Sequence, residues 1–350
     1  MPRQSTEIMT FKVKLDPSGI VFTARPTETL LDAGLRDQVL LPYGCRNGAC
    51  GSCRGRVISG TAGYHGETPR GLSEREIAAG WVLLCQAHAQ SDLRIRAPTL
   101  DDSHGLNVRT LPVRVLGKRQ LSHDVMEVTL QLPPTERLQY LAGQYIDIVL
   151  RDDGRRAFSL ANAPHDDAHL SLHIRHVPGG AFSGHVFDGL STRDLLRING
   201  PLGSFFLRNE APRTRILVAG GTGFAPIKSI VENAIHEGLT DALHVYWGVR
   251  AERDLYMGEL AHSWAQTHEN ITFTPVLSDP AQDDTWAGQT GFVHDAVLAH
   301  FDDLSAAEVY ASGPPVMIRA VRETFTERGL SLDNLFSDTF NYAHETGHDT

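Results

Sequence analysis

Hydrophobic and polar positions follow three successive patterns along the chain. Thr10-Phe11-Lys12-Val13-Lys14-Leu15 alternates, Ile20-Val21-Phe22 resumes the alternation, and Asp16-Pro17-Ser18-Gly19 between them has the residue types of a hairpin turn. Thr27 then stands where it would cap a helix carrying Leu30, Leu31 and Leu35 on one face. A short strand is predicted near Val57 and Ile58, a capping box at Ser73-Glu74-Arg75-Glu76 opens a second helix, and Leu93-Arg94-Ile95 closes the segment. Residues 99–110, with Asp101, Asp102, Ser103 and Gly105, are polar and aperiodic and are expected to form a linker.

Beyond the linker, period-two alternation dominates, as in Val125-Met126-Glu127-Val128-Thr129-Leu130-Gln131-Leu132 and Gln144-Tyr145-Ile146-Asp147-Ile148-Val149-Leu150, and predicts a small antiparallel barrel. The period then changes. Ile216-Leu217-Val218-Ala219 leads through glycines into an amphipathic stretch from Ala225 to His236, and Leu243 to Val249 reads as the next strand. Strands alternating with helices predict a parallel, doubly wound α/β sheet. The expected organisation is therefore multidomain: an α+β domain over 1–98, the linker over 99–110, a β-barrel over 111–210, and an α/β domain with a polar C-terminal tail over 211–350.

A length of 350 residues accommodates two or three such domains. The formal net charge of −10 argues against nucleic acid as a partner, since that needs a basic face, and is the ordinary condition of a soluble enzyme. The apolar runs are too short for a membrane span, and the polar run from Met1 to Met9 lacks the apolar core of a secretory signal, so a cytoplasmic location is expected. Seventeen histidines are scattered, and His344 and His348 in the tail read as surface residues rather than a metal site.

The four cysteines change the picture most. Cys45-x4-Cys50-x2-Cys53 with a distant Cys85 is the plant-type spacing for a [2Fe-2S] cluster. Gly48 and Gly51, with the small Ala49 and Ser52, relax the loop so that three thiolates come from one short stretch, and apolar Trp81-Val82-Leu83-Leu84 is suited to bring Cys85 in from a buried side. A zinc site would show two close Cys/His pairs, and neither it nor a set of disulfides explains three clustered cysteines separated by glycine. Over 10–98, the order hairpin, helix, cysteine loop, late cysteine resembles the plant-type ferredoxin (β-grasp) fold.

Four further motifs, in order, resemble those of the ferredoxin-NADP reductase superfamily. Arg156-Ala157-Phe158-Ser159 is similar to its flavin-binding Arg-x-Tyr-Ser motif, and Gly180-Ala181-Phe182-Ser183 to its phosphate-binding Gly-x-x-Ser element. Between them, His173-Ile174-Arg175 resembles a strand whose alternate side chains face the flavin. Gly220-Gly221-Thr222-Gly223-Phe224-Ala225-Pro226 resembles the nicotinamide loop, and Ser312-Gly313-Pro314-Pro315-Val316-Met317 the Cys-Gly-Pro-Pro-x-Met element. Phe158 replaces the usual tyrosine and Ser312 the usual cysteine. The resemblance implies FAD held by Arg156, Phe158, Ser159, His173, Arg175, Gly180 and Ser183. It implies nicotinamide held by Gly220, Gly221, Thr222, Gly223, Pro226, Arg250, Gly313 and Pro314, with Ser159, Ser312 and Phe340 beside the reacting atoms. Phe336 or Phe340, in a terminal aromatic segment like the family's, would cover the flavin.

The whole chain thus resembles three-module reductases ordered ferredoxin, FAD, NAD(P), such as the reductase components of aromatic-ring dioxygenases and the CDP-6-deoxy-3,4-glucoseen reductase group. That resemblance implies an enzyme carrying electrons from NADH, with NADPH as the alternative, through FAD and the cluster to a terminal oxygenase. Electron supply to a deoxysugar dehydratase is a second reading, which the neighbouring gene would separate from the first. A redox-sensing binding protein is a reading of another class, supported by Ser312 and Phe158 and opposed by the intact glycine loop. Arg250 and Arg253 could meet an adenosine 2′-phosphate, and no acidic residue at the strand end clearly excludes one. Arg46, Asn47 and Arg54 are candidate contacts for the electron acceptor.

Overall fold

The computed structural model describes residues 9–100, 106–152, 154–208, 214–280 and 286–340, so His344 and His348 lie outside the described residues. The chain divides into two compact units, Met1–Gly105 and Leu106–Thr350.

In the first unit, β1 (Phe11–Asp16), β2 (Val21–Ala24), α1 (Leu30–Arg36), β3 (Arg54–Ser59), β4 (Ala62–Tyr64), α2 (Glu74–Ala78), β5 (Trp81–Leu83), β6 (Ala87–Ala89) and β7 (Leu93–Arg96) follow in order. Five strands form one sheet, β2-β1-β7-β3-β5, in which only β1 and β7 run parallel. One face buries Val13, Leu15, Leu93 and Ile95, against which α1 packs Leu30 and Leu31. The cap of α1 differs from expectation: Thr29 rather than Thr27 accepts the Asp32 N–H, because the helix begins at Leu30. The capping box of α2 forms as expected, with Ser73 and Glu76 each satisfying the other's backbone N–H.

The second unit opens with β8 (Arg109–Gln120), β9 (Val125–Gln131), β10 (Tyr145–Val149), β11 (Arg155–Ser159), β12 (Leu170–Arg175), α3 (Ala181–Asp188) and β13 (Leu195–Leu202). Arg109 and Thr110, expected in the linker, already belong to β8, where Thr110 bonds Asn199 and Arg109 pairs with Glu136. The antiparallel order is β11-β10-β13-β8-β9-β12, and a bridge between Leu160 and Leu172 joins its two edges. Leu111, Val113, Val115, Val128, Leu130, Ile146, Ile148, Leu172 and Ile174 fill the space enclosed.

The rest of the unit is β14 (Thr214–Gly220), α4 (Phe224–His236), β15 (Leu243–Val249), α5 (Gly258–Thr267), β16 (Ile271–Leu277), β17 (Gln289–Thr290), α6 (Val293–His300), β18 (Ala307–Gly313), α7 (Pro315–Glu327) and β19 (Leu335–Thr339). All six strands are parallel, in the order β17-β16-β15-β14-β18-β19. The strand order reverses at β14, so a crevice opens between β14 and β18 at their C-terminal ends, where such sheets bind ligands. Phe224, the first residue of α4, is wholly buried and stacks on Trp247 of β15, with ring centroids 3.8 Å apart and planes 7° from parallel.

Emptying that stack by Phe224→Ala should cost about 3–5 kcal/mol. It should appear as a lower melting midpoint of the second unit in calorimetry, with the iron-sulfur absorbance of the first unit unchanged.

Candidate functional site

In the first unit the loop 43–53 is folded by its glycines and tied down on two sides. Gly48 and Gly51 take positive φ angles of 80° and 79°, as does Arg46 at 57°. Gly71 donates its N–H to the Gly48 carbonyl over 2.8 Å, and a Cβ on Gly71 would stand 2.7 Å from that oxygen. Gln86 bonds the Arg46 carbonyl at 3.0 Å, and Leu84 N–H donates to the Cys53 carbonyl at 2.9 Å, so the segment bearing Cys85 lies against the loop.

Cys50, Cys53 and Cys85 are buried and Cys45 is half-buried. The N–H of Cys50 points at the Cys45 sulfur at 3.3 Å, and that of Ser52 at the Cys50 sulfur at 3.4 Å. A hydrogen bond from the Cys45 thiol holds the Cys50 thiol down to about 6 and pushes Cys45 up; a bond to Cys85 likewise raises Cys53. Four sulfurs that bond in pairs, with loop N–H groups aimed at them, are a donor set suited to an iron-sulfur cluster. Two of the three candidate docking residues are engaged: Arg54 pairs with Glu76 at 2.8 Å and lies over Trp81, and Arg46 pairs with Asp32. Asn47 bonds the Ala49 N–H at 3.3 Å.

In the second unit the predicted residues converge on the seam between the antiparallel and parallel sheets. Arg156 and Phe158 lie half-buried on β11, Phe158 against the Phe182 ring at 5.5 Å. Gly180 ends the loop before α3, whose first N–H groups have no side-chain cap; a Cβ there would meet Ser183 Oγ at 2.6 Å. A helix N-terminus with no side-chain cap among the described residues, joined to β11 by the Phe158–Phe182 contact, fits the pyrophosphate of a dinucleotide. Ser159 Oγ donates to Asp338 Oδ2 over 3.0 Å, both residues buried.

The nicotinamide motifs face each other across the crevice. Gly220 ends β14 and Gly221 to Gly223 follow as a single 3₁₀ turn with Thr222 and Gly223 buried, and Pro226 is buried in the first turn of α4. A Cβ on Gly223 would stand 2.0 Å from the Ser312 carbonyl oxygen, and one on Gly220 would stand 2.6 Å from Met317 Sδ and 2.9 Å from Pro314. Gly313 leaves only 3.1 Å between its own Cβ position and the Gly220 backbone. Trp247 Nε1 holds the turn from below by donating to the Gly221 carbonyl at 2.9 Å. Ser312 is fully buried and its hydroxyl has no hydrogen-bond partner among the described residues, as suits a group with a ligand to meet.

Arg175 donates to Asp124 at 2.7 Å, and its Nη1 lies 3.4 Å from a Cβ position on Gly221. His173 points away from the antiparallel core: its Nδ1 lies 3.2 Å from the Tyr256 hydroxyl, and its Nε2 is buried without a partner among the described residues. Arg250 and Arg253 are exposed past the end of β15. The terminal aromatic segment separates into two parts. Phe336 stacks on Tyr310 at 4.8 Å with Arg208 over its ring. Phe340 follows β19, and its N–H donates to the Gly313 carbonyl at 3.0 Å, at the crevice end of the sheet. Asp338, Asp124 and Tyr256 are the site residues that pattern reading missed. Asp338 stood inside the terminal segment already singled out, but nothing in its spacing showed that a residue 179 positions away faced it.

Three domain families match in series: the 2Fe-2S iron-sulfur cluster binding domain over residues 13–90, the oxidoreductase FAD-binding domain over 112–207 and the oxidoreductase NAD-binding domain over 217–323. The chain is similar to the CDP-6-deoxy-L-threo-D-glycero-4-hexulose-3-dehydrase reductase of Yersinia pestis, 42% identical over 95% of this chain and 99% of that one. The chain belongs to the three-module iron-sulfur flavoprotein reductases. It is 33% identical to the terephthalate 1,2-dioxygenase reductase component 1 of Comamonas sp, over 95% of this chain and 98% of that one. Among solved structures, the Amycolatopsis cytochrome P450 reductase GcoB superposes with a TM-score of 0.75 at 34% identity, covering 95% of this chain and all of that one. The protein is accordingly an NAD(P)H-dependent oxidoreductase with FAD and a [2Fe-2S] cluster. Among the described residues, no helix is long and apolar enough to cross a membrane.

The burial of His173 makes a pH prediction. Desolvation lowers its pKa from 6.5 to about 3, so below 6.5 the unfolded chain binds a proton that the folded chain refuses. The stability gained from a neutral His173 is complete above about 6.5 and lost as pH falls toward about 3, by up to about 1.4 kcal/mol per pH unit. Urea unfolding of the second unit at several pH values should show this slope, and His173→Gln should flatten it.

Proposed function

We propose that this reductase takes electrons from NADH and delivers them singly to a partner protein, in the first instance a terminal oxygenase such as an aromatic-ring-hydroxylating dioxygenase. The observation that carries the reading is the crevice at Gly220–Gly223 and Ser312–Pro314, which lies on the same seam as Ser159, in a chain whose other unit gathers four cysteines. We read the three sheets as a β-grasp ferredoxin fold, a small barrel and a doubly wound sheet. Parallel β1 and β7, the Leu160–Leu172 bridge and the strand order about β14 support this reading. When bound, FAD accepts an electron pair as hydride and the cluster takes electrons one at a time, which is why both are needed.

The chain's own groups bind and orient. Arg156 and the N-terminus of α3 would hold the flavin pyrophosphate, and Phe158 would pack against the flavin ring. The glycines let the Ser312–Met317 segment pack against the turn, and the start of α4, with no side-chain cap among the described residues, would meet the nicotinamide pyrophosphate. Ser159 Oγ, which donates to Asp338, would accept a hydrogen bond at the flavin edge, and the Ser312 hydroxyl would meet the nicotinamide. Phe340, tied to Gly313, would cover the flavin face. Cys45, Cys50, Cys53 and Cys85 ligate the two irons. NADH is the donor we favour from the likeness to three-module reductases, with NADPH as the alternative that exposed Arg250 and Arg253 would serve.

A dehydrase as electron acceptor is the second reading. The greater likeness to the Yersinia reductase, 42% against 33% for the dioxygenase component, favours it. NADH-driven turnover of a purified Rieske-type oxygenase, or only of a pyridoxamine-phosphate-type dehydrase, would decide between them. The electron route itself is tested by Cys85→Ser. NADH-dependent reduction of ferricyanide, which can draw on the flavin, should stay within about twofold, while reduction of cytochrome c falls at least about tenfold, or about 1.4 kcal/mol. Equal loss of both activities, or of neither, would contradict the route.

A further inference from the structure

The chain as a whole is acidic, with 42 Asp and Glu against 32 Lys and Arg, yet residues 9–100 reverse the balance with eleven Lys and Arg against eight Asp and Glu. The excess is concentrated. On the sheet of the first unit, the face opposite α1 exposes Lys12 and Lys14 of β1, Arg94 and Arg96 of β7, and Arg56 of β3. Register places them side by side: Val21, Lys14 and Arg94 form one row across three strands, and Asp16, Arg96 and Arg56 form the next. Arg96 and Arg56 are direct cross-strand partners, an arrangement of like charges that destabilises a sheet in isolation.

The acids nearby do not cancel this stripe. Asp16 is taken by Arg94 at 2.7 Å, and Asp92 accepts the Lys12 backbone N–H at 2.8 Å. Arg56 is held in place by its bond to the Ala79 carbonyl at 3.0 Å, so its charge is fixed rather than free to spread. Beside Lys14 stands Val21, 55% exposed, which adds an apolar contact to the charged row. Ordered arginines beside an exposed aliphatic side chain are the composition of a protein-docking surface. Arg56 lies in β3, three residues after Cys53 and so at most roughly 10 Å of extended chain from it, which puts a protein seated here near that ligand.

We propose that this basic sheet face, centred on Lys14, Arg96 and Arg56, is the docking surface for an electron-accepting protein with an acidic face. It rests on the reading that the first unit passes electrons outward. Complementary charge steers such an encounter and makes its rate depend on salt.

The test uses the full-length, cofactor-loaded protein with NADH and two haem-protein probes, acidic cytochrome b5 and basic cytochrome c, at low and high ionic strength. Cytochrome b5 reduction should slow as salt rises, and the triple variant Lys14→Glu, Arg56→Glu, Arg96→Glu should be about tenfold slower at low salt and lose the salt dependence. Cytochrome c reduction should move the opposite way. Ferricyanide turnover and the visible absorbance of the cluster report an intact electron path, and the corresponding triple Gln variant, expected to show a smaller loss, answers if the charge reversal fails to fold. Cytochrome b5 rates that are unaltered in both variants would overturn the proposal. So would heparin binding that the variants abolish while cytochrome b5 reduction is untouched, which would assign the face to polyanions. Failure of NADH to reduce the cluster would instead overturn the electron-transfer reading.

Discussion

The hydrogen bond from Ser159 to Asp338 fixes the second unit's geometry, because it fastens the antiparallel sheet to the last strand of the parallel one. Two further contacts hold the same seam: Lys228 donates to the Ala161 carbonyl at 3.1 Å and Ser229 to the Asn162 carbonyl at 2.7 Å. Ala142 and Phe205, from the antiparallel half, are buried in the core of the parallel half beside Leu217, Phe224 and Tyr310. A buried hydrogen bond to a charged group contributes on the order of 1.5–3 kcal/mol, so three polar ties around an apolar seam make it unlike a hinge. The consequence is chemical: the groups proposed to meet the flavin and the nicotinamide are brought to one seam before either ligand arrives.

The glycine crevice shows the same economy. Gly223 and Gly220 have no room for a Cβ because the Ser312–Met317 segment already occupies it. Backbone therefore faces backbone across the switch point, leaving N–H groups rather than side chains to meet a dinucleotide. Trp247, bonded to Gly221 and stacked on Phe224, transmits the rigidity of the sheet to that turn.

Much of this was legible in the sequence, for identifiable reasons. Local signals read well: the turn at Asp16 to Gly19, the capping box at Ser73 and the change of period after Ile216 each depend on residues a few positions apart. The cysteine spacing is equally local for three of its members, and Cys85 was reachable because four cysteines leave no other partner. Long-range pairings were not legible. Asp338 opposite Ser159, Tyr256 over His173 and Asp124 under Arg175 are set by tertiary packing. Phe336 shows the same limit, since its stacking on Tyr310, 26 positions earlier, has no local signal. The basic face was hidden for another reason: a net charge summed over the chain averages away a patch on one sheet.

The central claim is an order of events, from nicotinamide through flavin to cluster, and anaerobic stopped-flow mixing of the loaded protein with NADH and with NADPH tests it most directly. Flavin absorbance and freeze-quenched EPR would be followed together. The account predicts that flavin bleaching precedes the reduced [2Fe-2S] signal and that NADH is the faster donor; a cluster signal without prior flavin reduction, or no reduction by either nucleotide, would contradict it.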